Sequence, residues 1–298
     1  MLIRAPLKRR SLFRGITPAR AVNGMLLAVL AILTLYPFWY VLCVSVSTHD
    51  QILGAGILLW PRGFNLDAVK YVLTARDFSA LYINTFFVVI VGTALSMALT
   101  IGFAYGLARR VRGHHFLSFF VFFTLLFNGG MIPTFLVVRS TGLLDTLWAL
   151  ILPRVADPFY IFLMRNFLQS IPESLDESAS LDGAGVMTIL VKIILPISLP
   201  GIATISLFYG VLYWNNFFDA VLYISSRSKW TIQVLLREIL ISVQPDILSG
   251  AGTAGDSLST PYTVKMATVL LAVVPVMLIY PFIQRYFVTG MVVGAVKG

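Results

Sequence analysis

The segment FSALYINTFFVVIVGTALSMALTIGFAYGLA, Phe78–Ala108, contains 31 residues and not one Asp, Glu, Lys or Arg. A helix that crosses the hydrocarbon core of a bilayer needs about 20 such residues. The segment therefore predicts a membrane-spanning helix. Four further runs are equally free of charged residues, and they are bounded by Arg20 and Asp50, His115 and Arg139, Lys192 and Asp219, and Lys265 and Arg285.

The composition of the whole chain agrees with several such helices. Of its 298 residues, 58% are hydrophobic and only 12% are charged, whereas soluble domains carry about 25% charged residues. A sixth apolar run, 146–164, contains Arg154 and Asp157. We expect it to cross as well, because an odd number of spans would leave the basic termini on opposite sides.

The predicted fold is therefore all-α, a polytopic membrane protein with six transmembrane helices. These helices are expected near residues 22–46, 82–108, 116–138, 146–166, 194–224 and 264–288. A basic segment, 1–21, precedes them, and residues 22–298 form the membrane domain.

The distribution of Lys and Arg between the loops predicts the orientation of the chain. With the N-terminus inside, 13 of these side chains fall on the cytoplasmic side and seven in the longer outer loops. We therefore expect both termini and a loop at 171–192 in the cytoplasm, and a loop at 225–262 outside. Because this asymmetry explains much of the net charge of +9, no nucleic-acid partner is expected. The single cysteine, Cys43, lies inside the first span, which excludes a disulfide framework.

Four carboxylates are concentrated in the sequence IPESLDESASLDGAG, Ile171–Gly185, which contains no Lys or Arg. They are Glu173, Asp176, Glu177 and Asp182. A capping box at 174–177, or equally at 170–173, predicts the start of a helix, on which the first three carboxylates share one arc. Glycines at 183 and 185 then interrupt the helical pattern. The segment predicts a short helix, a bend and a second helix on the cytoplasmic surface.

Ionisable residues at membrane depth are costly and usually face a partner or a cavity. Arg154 and Asp157, three residues apart in the fourth span, could neutralise each other or line a substrate pathway, and the two roles can coexist. A cation in the pathway would suit an acidic sugar such as a uronate. In the third span, Asn128-Gly129-Gly130 should loosen the helix beside a cavity, with Asn128 as a pathway or hinge residue.

The fifth span carries polar and aromatic residues on neighbouring positions. Tyr209 and Tyr213 could stack against sugar rings or simply pack within the protein. For the amides and the carboxylate that follow, lining of the pathway is the favoured role; these residues are Asn215, Asn216 and Asp219. In the second span, Gly102-x-x-x-Gly106 predicts a close contact between helices.

The spacing in the acidic loop resembles a known family pattern. Glu177-Ser178-Ala179, three residues, Gly183, nine residues and Ile193-x-Leu195-Pro196 are similar to E-A-A-x3-G-x9-I-x-L-P, which marks the permease subunits of binding-protein-dependent ABC importers. Ser178 departs from the usual Ala but keeps the side chain small. Segments including FNGGMIPT at 127–134, LWALILP at 147–153 and WNNFFDA at 214–220 resemble the carbohydrate-uptake branch, and within it permeases for oligosaccharides and polysaccharides such as the alginate importer.

This resemblance implies a type I ABC importer permease fold, in which the acidic loop forms a coupling helix that docks into a groove on an ATPase subunit. Glu177 would then meet a basic residue of the ATPase, Gly183 would form the elbow, and Ala179 would allow close packing. The residues assigned to ATPase coupling are Glu173, Asp176, Glu177, Ser178, Ala179, Asp182, Gly183 and Ala184.

The same resemblance implies a multi-pass subunit of a bacterial inner-membrane importer for a sugar. Its partners would be a second permease subunit in a heterodimer, two ATP-binding subunits, and a periplasmic or lipid-anchored solute-binding protein. We expect no catalytic residue, metal site or cofactor in this chain, with ATP and Mg held by the ATPase subunits. The run Gly250–Gly255 imitates a phosphate-binding loop, but Asp256 stands where the lysine belongs.

Two other classes of protein remain to be weighed. An ion-coupled secondary transporter would need discontinuous helices around an ion site and usually inverted repeats, and neither feature is evident in the sequence. An intramembrane transferase would need carboxylates that bind a metal, for which only Asp176, Glu177 and Asp182 are available, at poor spacing.

Overall fold

The computed structural model describes residues 18–52, 56–75, 78–241 and 262–295. Within these ranges the chain is helical, and its only strand-like pairing is an isolated bridge between Ser47 and Phe64. The α-helices are α1 (Pro18–Ser45), α2 (His49–Ile52), α3 (Asp67–Thr74), α4 (Phe78–Ala108), α5 (His114–Leu126), α6 (Met131–Ser140), α7 (Pro158–Gln169), α8 (Ser174–Leu181), α9 (Val186–Ile189), α10 (Leu195–Ile197), α11 (Leu199–Trp214), α12 (Phe218–Tyr223), α13 (Ile232–Ile241) and α14 (Tyr262–Ala295). Short 3₁₀ segments cover Leu147–Leu150, Leu152–Arg154 and Arg227–Lys229, and a π-helical turn covers Leu190–Ile194.

Three described helices are long and apolar enough to cross a membrane alone: α1, α4 and most of α14. Three bent pairs meet the same criterion together, namely α5 with α6 at 116°, the 3₁₀ segment 147–154 with α7 at 53°, and 186–197 with α11 at 83°. The described residues thus provide six spans if each bent pair counts as one. This agrees in number with the sequence prediction, but half of the spans are broken.

The breaks correspond to residues that cannot continue a helix. Gly130 has a φ of 84°, in the left-handed region, and its amide donates to Asn128 Oδ1 at 2.8 Å, which ends one helix and starts the next. Pro158 and Pro200 each lie in the first turn of a new helix, where a proline's missing N–H is tolerated. The predicted span 194–224 is consequently too long, because α11 ends at Trp214.

The core of the bundle forms where α4 packs against α7 and α11. The phenol of Tyr209 hydrogen-bonds to the Thr100 hydroxyl at 2.8 Å, and that of Tyr213 to the Ser96 hydroxyl at 2.8 Å. A Cβ on Gly92 would lie 2.8 Å from the Tyr213 ring, so this glycine permits the close approach of α4 and α11. On the other side of α11, α14 packs against both α11 and α1.

The predicted close contact at Gly102-x-x-x-Gly106 is wrong for this chain. A Cβ on Gly102 would meet no atom within 4 Å, and one on Gly106 would meet only the Val111 side chain, at 3.6 Å. The close approach occurs instead at Gly92, ten residues earlier on the same helix, because the bulky Tyr213 faces it there.

The loop 225–262 contains the helix α13. The run Gly250–Gly255 and most of the N-terminal segment 1–21 lie outside the described residues.

Candidate functional sites: a charged elbow and a polar cavity

The acidic segment forms helix α8, but neither predicted capping box is present. A capping residue needs an extended backbone, whereas Glu173, with φ −66° and ψ −22°, is already helical and places Ser174 inside the helix. The alternative cap, Ser170, donates its hydroxyl to the Phe167 carbonyl at 2.6 Å instead. The helix therefore starts through backbone bonds such as that from the Leu175 amide to the Pro172 carbonyl, at 3.3 Å.

The predicted bend after α8 is present at Gly183. This residue has a φ of 84°, which L side chains adopt only with strain. The Ala184 amide donates to the Ala179 carbonyl and the Gly183 amide to the Ser180 carbonyl, both at 3.0 Å. This pattern ends the helix and redirects the chain into α9.

The carboxylates of α8 do not all face the same environment. Glu173, Glu177 and Asp182 are exposed, as is Ser178. Asp176 instead forms an ion pair with Arg109, which follows the end of α4. The carboxylates on the expected acidic arc therefore differ in their surroundings, since Asp176 contacts the Arg109 guanidinium of the bundle while Glu173 and Glu177 are exposed.

The opposite side of the elbow attaches it to the bundle. Ala179 and Ala184 are half-buried and pack against the main hydrophobic core, where a larger side chain would have less room. The small residues of the motif thus contact the spans of this chain itself.

Three apolar side chains at the elbow are exposed: Leu181, Met187 and Val186 at 89%, 72% and 67%. The sequence analysis missed this patch, and it also missed Arg109 as the partner of Asp176. A usable signal for the patch was Leu181 itself, an apolar residue between Ser180 and Asp182 in an otherwise polar run. Exposed apolar groups beside charged ones are typical of surfaces that contact another protein.

A cavity of about 350 Å³ lies where two of the helix breaks meet helix α12. It is bounded by the α5–α6 break, by the 3₁₀ turn that ends at Arg154, and by α12. Its lining residues are Asn128, Gly130, Met131, Thr134, Pro153, Arg154, Phe218, Asp219, Leu222 and Tyr223.

An ion pair between Arg154 and Asp219 crosses one wall of this cavity. Arg154 Nε contacts Asp219 Oδ2, and Arg154 Nη2 donates to Asp219 Oδ1 at 3.1 Å. Asn216 Nδ2 donates to the same carboxylate at 3.0 Å. Both residues line the cavity, but the Asp219 side chain is only 8% exposed, whereas that of Arg154 is 43% exposed, so the cation is the more accessible member of the pair.

The predicted pairing of Arg154 with Asp157 is wrong. Asp157 adopts an extended backbone, with φ −86° and ψ 118°, so the two residues do not share a helix face. Its carboxylate instead caps α7 by accepting the amide of Phe159 at 2.9 Å and that of Tyr160 at 3.4 Å.

The other predicted pathway residues divide into two groups. Asn128, Arg154 and Asp219 line the cavity, and Asn216 supports it through Asp219. Tyr209 and Tyr213 are buried in the core and do not line this cavity, which agrees with the second role considered for them, packing within the protein. Asn215 is exposed at the end of α11 and lies outside the cavity lining.

The lining residues Thr134, Phe218 and Tyr223 were not predicted from sequence. They come together only because the spans break, and an unbroken helix plan gives no sign of that.

Comparison with known proteins identifies the family. Residues 98–293 match the model of the binding-protein-dependent transport system inner membrane component. The polygalacturonan/rhamnogalacturonan transport system permease protein YtcP of Bacillus subtilis is 46% identical over 279 residues, which cover 93% of this chain and 97% of the relative. The protein LplC of the same organism is 40% identical over 277 residues, covering 93% and 94%.

A solved structure agrees with this fold. A chain of a bacterial ABC transporter involved in the import of the acidic polysaccharide alginate superposes with a TM-score of 0.82 and 32% identity, covering 95% of this chain and 100% of that one. The family model matches most of the chain, and two relatives are at least 40% identical to it over 93% of its length. The chain therefore belongs to the binding-protein-dependent transport system inner membrane component family.

Proposed function

We propose that this chain is the transmembrane permease subunit of an ATP-driven importer that moves an oligosaccharide or polysaccharide, including acidic ones, across the bacterial inner membrane. The main support is near full-length similarity to a permease for polygalacturonan and rhamnogalacturonan and to a chain of an alginate importer. Both of those proteins are named for acidic polysaccharides.

The chain provides the conduit, and a separate ATPase provides the energy. The elbow formed by α8, Gly183 and α9 is the coupling element that docks on that ATPase. Its exposed face combines the carboxylates of Glu173 and Glu177 with the apolar side chains of Leu181 and Met187. A partner groove that is basic at one edge and apolar at its centre would complement this face, because charge fixes the register and apolar burial supplies affinity.

The orientation of the chain follows from the same proposal. The elbow and the end of α4 lie on one side of the bundle, since Arg109 and Asp176 are in contact. That side is the cytoplasmic one, where the ATPase is found, which places both termini in the cytoplasm as the Lys and Arg distribution predicts. The further partners are a second permease subunit, two ATPase subunits that hold ATP and Mg, and a solute-binding protein.

An ion-coupled secondary transporter was the alternative from sequence. The family assignment favours the ABC importer, and an ion-coupled carrier would leave the exposed elbow without a partner.

The proposal is tested by reconstituting the chain with its co-purifying subunits in liposomes. Oligogalacturonate or alginate oligosaccharide with the binding protein should raise ATP hydrolysis several-fold, and sugar should accumulate when ATP is supplied. Uptake that needs no ATP and collapses on addition of an ionophore would overturn the proposal.

A further inference from the structure

Both members of the Arg154–Asp219 ion pair line the cavity, and the cation is much the more accessible of the two. Asp219 Oδ2 contacts Arg154 Nε and accepts Asn216 Nδ2, and Asp219 Oδ1 accepts Arg154 Nη2. The carboxylate is thus occupied on both oxygens and buried, while nearly half of the arginine side chain remains accessible. A molecule entering the cavity meets the guanidinium first.

Only one edge of that guanidinium is used by Asp219. Arginine carries five N–H donors in a planar fork, and the Nε–Nη2 edge engages Asp219. Nη1 has no hydrogen-bond partner among the residues that the structure describes. The second edge, formed by Nη1 and the remaining Nη2 hydrogen, has the geometry that binds a carboxylate through two parallel hydrogen bonds.

We propose that Arg154 is the group in the permease that recognises the carboxylate of a uronic acid unit, and that Asp219 is the positioning residue that holds it. This inference rests on the proposed function and specifies which chemical group of the substrate the transport pathway recognises. Asn128 and Thr134 place polar groups on the same cavity, and Phe218 and Tyr223 place aromatic rings on it. Amides and hydroxyls hydrogen-bond sugar hydroxyls, and aromatic rings stack on sugar faces.

The buried anion also explains how the site can release its ligand. An isolated arginine in a cavity of low polarity would bind an anion tightly, whereas the Arg154–Asp219 pair has no net charge. Conduction requires binding that is favourable enough for entering and weak enough for leaving. An arginine whose charge is balanced by Asp219 and whose second edge is free can both bind a carboxylate and release it.

The test compares two trisaccharides that differ only in charge, trigalacturonate and its methyl ester. Each competes against fluorescently labelled trigalacturonate for the purified complete transporter without binding protein, so that the selectivity of the binding protein does not contribute. The wild type should prefer the acid by about tenfold or more, as expected for a hydrogen bond to a charged group. Inorganic phosphate is included as a competitor. If phosphate displaces the labelled probe as effectively as trigalacturonate does, the proposal of a sugar site is overturned.

The decisive variant is the double substitution Arg154→Gln and Asp219→Asn, because R154Q alone leaves a buried carboxylate unpaired and endangers folding. The double variant should bind the ester about as well as the wild type does and lose the preference for the acid. Arg154→Lys should keep part of the preference, since it retains a point charge without the fork. Arg139→Gln, at an exposed arginine of α6, is the matched control and should behave as wild type.

Three results would contradict the inference: equal binding of acid and ester by the wild type, no binding of either, or a preference that survives in the double variant. ATP-driven uptake by wild-type liposomes is measured in parallel. If sugar is imported while the acid preference is missing, this inference alone fails; if no sugar is imported, the proposed function fails.

Discussion

The guanidinium of Arg109, directly after α4, forms an ion pair with the carboxylate of Asp176 in α8, and the two side chains are only 11% and 17% exposed. Helix α4 packs against α7 and α11 and is central to the bundle. The pair therefore connects the exposed elbow to the helix that contacts most of the core. A displacement of α8 by a partner would pass directly to α4.

Loss of either charge should uncouple the elbow from the bundle. In Asp176→Asn or Arg109→Gln, one largely buried charge loses its partner. Leaving that charge unpaired costs more free energy than the intact pair contributes to stability. We expect the amount of sugar imported per ATP hydrolysed by the reconstituted complex to fall about tenfold, the effect of roughly 1.4 kcal/mol. The assay is the ratio of sugar imported to ATP hydrolysed.

Two further variants separate positioning from general damage. The exchanged pair Arg109→Asp with Asp176→Arg should recover part of the coupling, and Glu173→Gln, at an exposed carboxylate of the same segment, should leave the Arg109 contact intact. Equal coupling ratios in Asp176→Asn and the wild type would show that the ion pair transmits nothing.

A proline scan of the two glycines tests the shape of the elbow. Proline fixes φ near −65°, which conflicts with the φ of 84° at Gly183 but fits the φ of −73° at Gly185. Gly183→Pro should abolish sugar stimulation of ATP hydrolysis, whereas Gly185→Pro should retain most of it. The two variants carry the same residue two positions apart, so similar activities in both would refute a role for the bend.

The exposed apolar patch of the elbow should supply affinity for the ATPase. Leu181→Ser removes a side chain that is 89% exposed in this chain, so its own stability should change little. We expect less ATPase to be retained when the permease is affinity-purified from membranes. Ile57→Ser, at a residue that is 77% exposed between α2 and α3, is the matched control. Undiminished ATPase retention in Leu181→Ser would contradict docking at this patch.

Local patterns in the sequence predict much of this molecule. The charge-free runs give the six spans in number, and Gly183 and Asn128-Gly129-Gly130 give two bends, because both signals depend only on composition and on backbone freedom over a few residues. The bent shape of the acidic segment follows from spacing within that one segment, and its docking on an ATPase stays a prediction.

Contacts between distant segments could not be predicted in the same way. The sequence offers Asp157 as one possible partner of Arg154, but the actual partner is Asp219, 65 residues away, because a helix break changes which residues share a face. Gly102 matched a packing motif, yet the close contact is at Gly92, where the opposing side chain happens to be Tyr213. The glycine that permits a close contact between two helices depends on which residue of the other helix lies opposite it. A single sequence does not give that pairing.

Asp145 connects two segments that the proposed orientation places outside the membrane, here called the outer segments, and should make the stability of the fold depend on pH. Its carboxylate accepts the Ser226 hydroxyl at 2.7 Å, the Ser226 amide at 2.8 Å and Lys229 Nζ at 2.9 Å. These hydrogen bonds, first that of the Ser226 hydroxyl, hold the pKa of Asp145 well below its usual range. Since the folded pKa is lowered, the stabilisation is fully present above the unfolded value of about 3.9 and is lost as the pH falls towards the folded pKa.

The variant Asp145→Asn removes this charge while keeping a residue that tolerates the positive φ of 56° at this position. In thermal melts of the purified protein, the wild type should be more stable than Asp145→Asn at pH 7, where the carboxylate is ionised. The difference between the two melting temperatures should shrink steadily as the pH is lowered below about 4, because protonation removes the acceptor charge from the wild type alone. A difference that stays constant down to the lowest pH at which both proteins remain folded would mean that the charge of Asp145 does not hold these outer segments together.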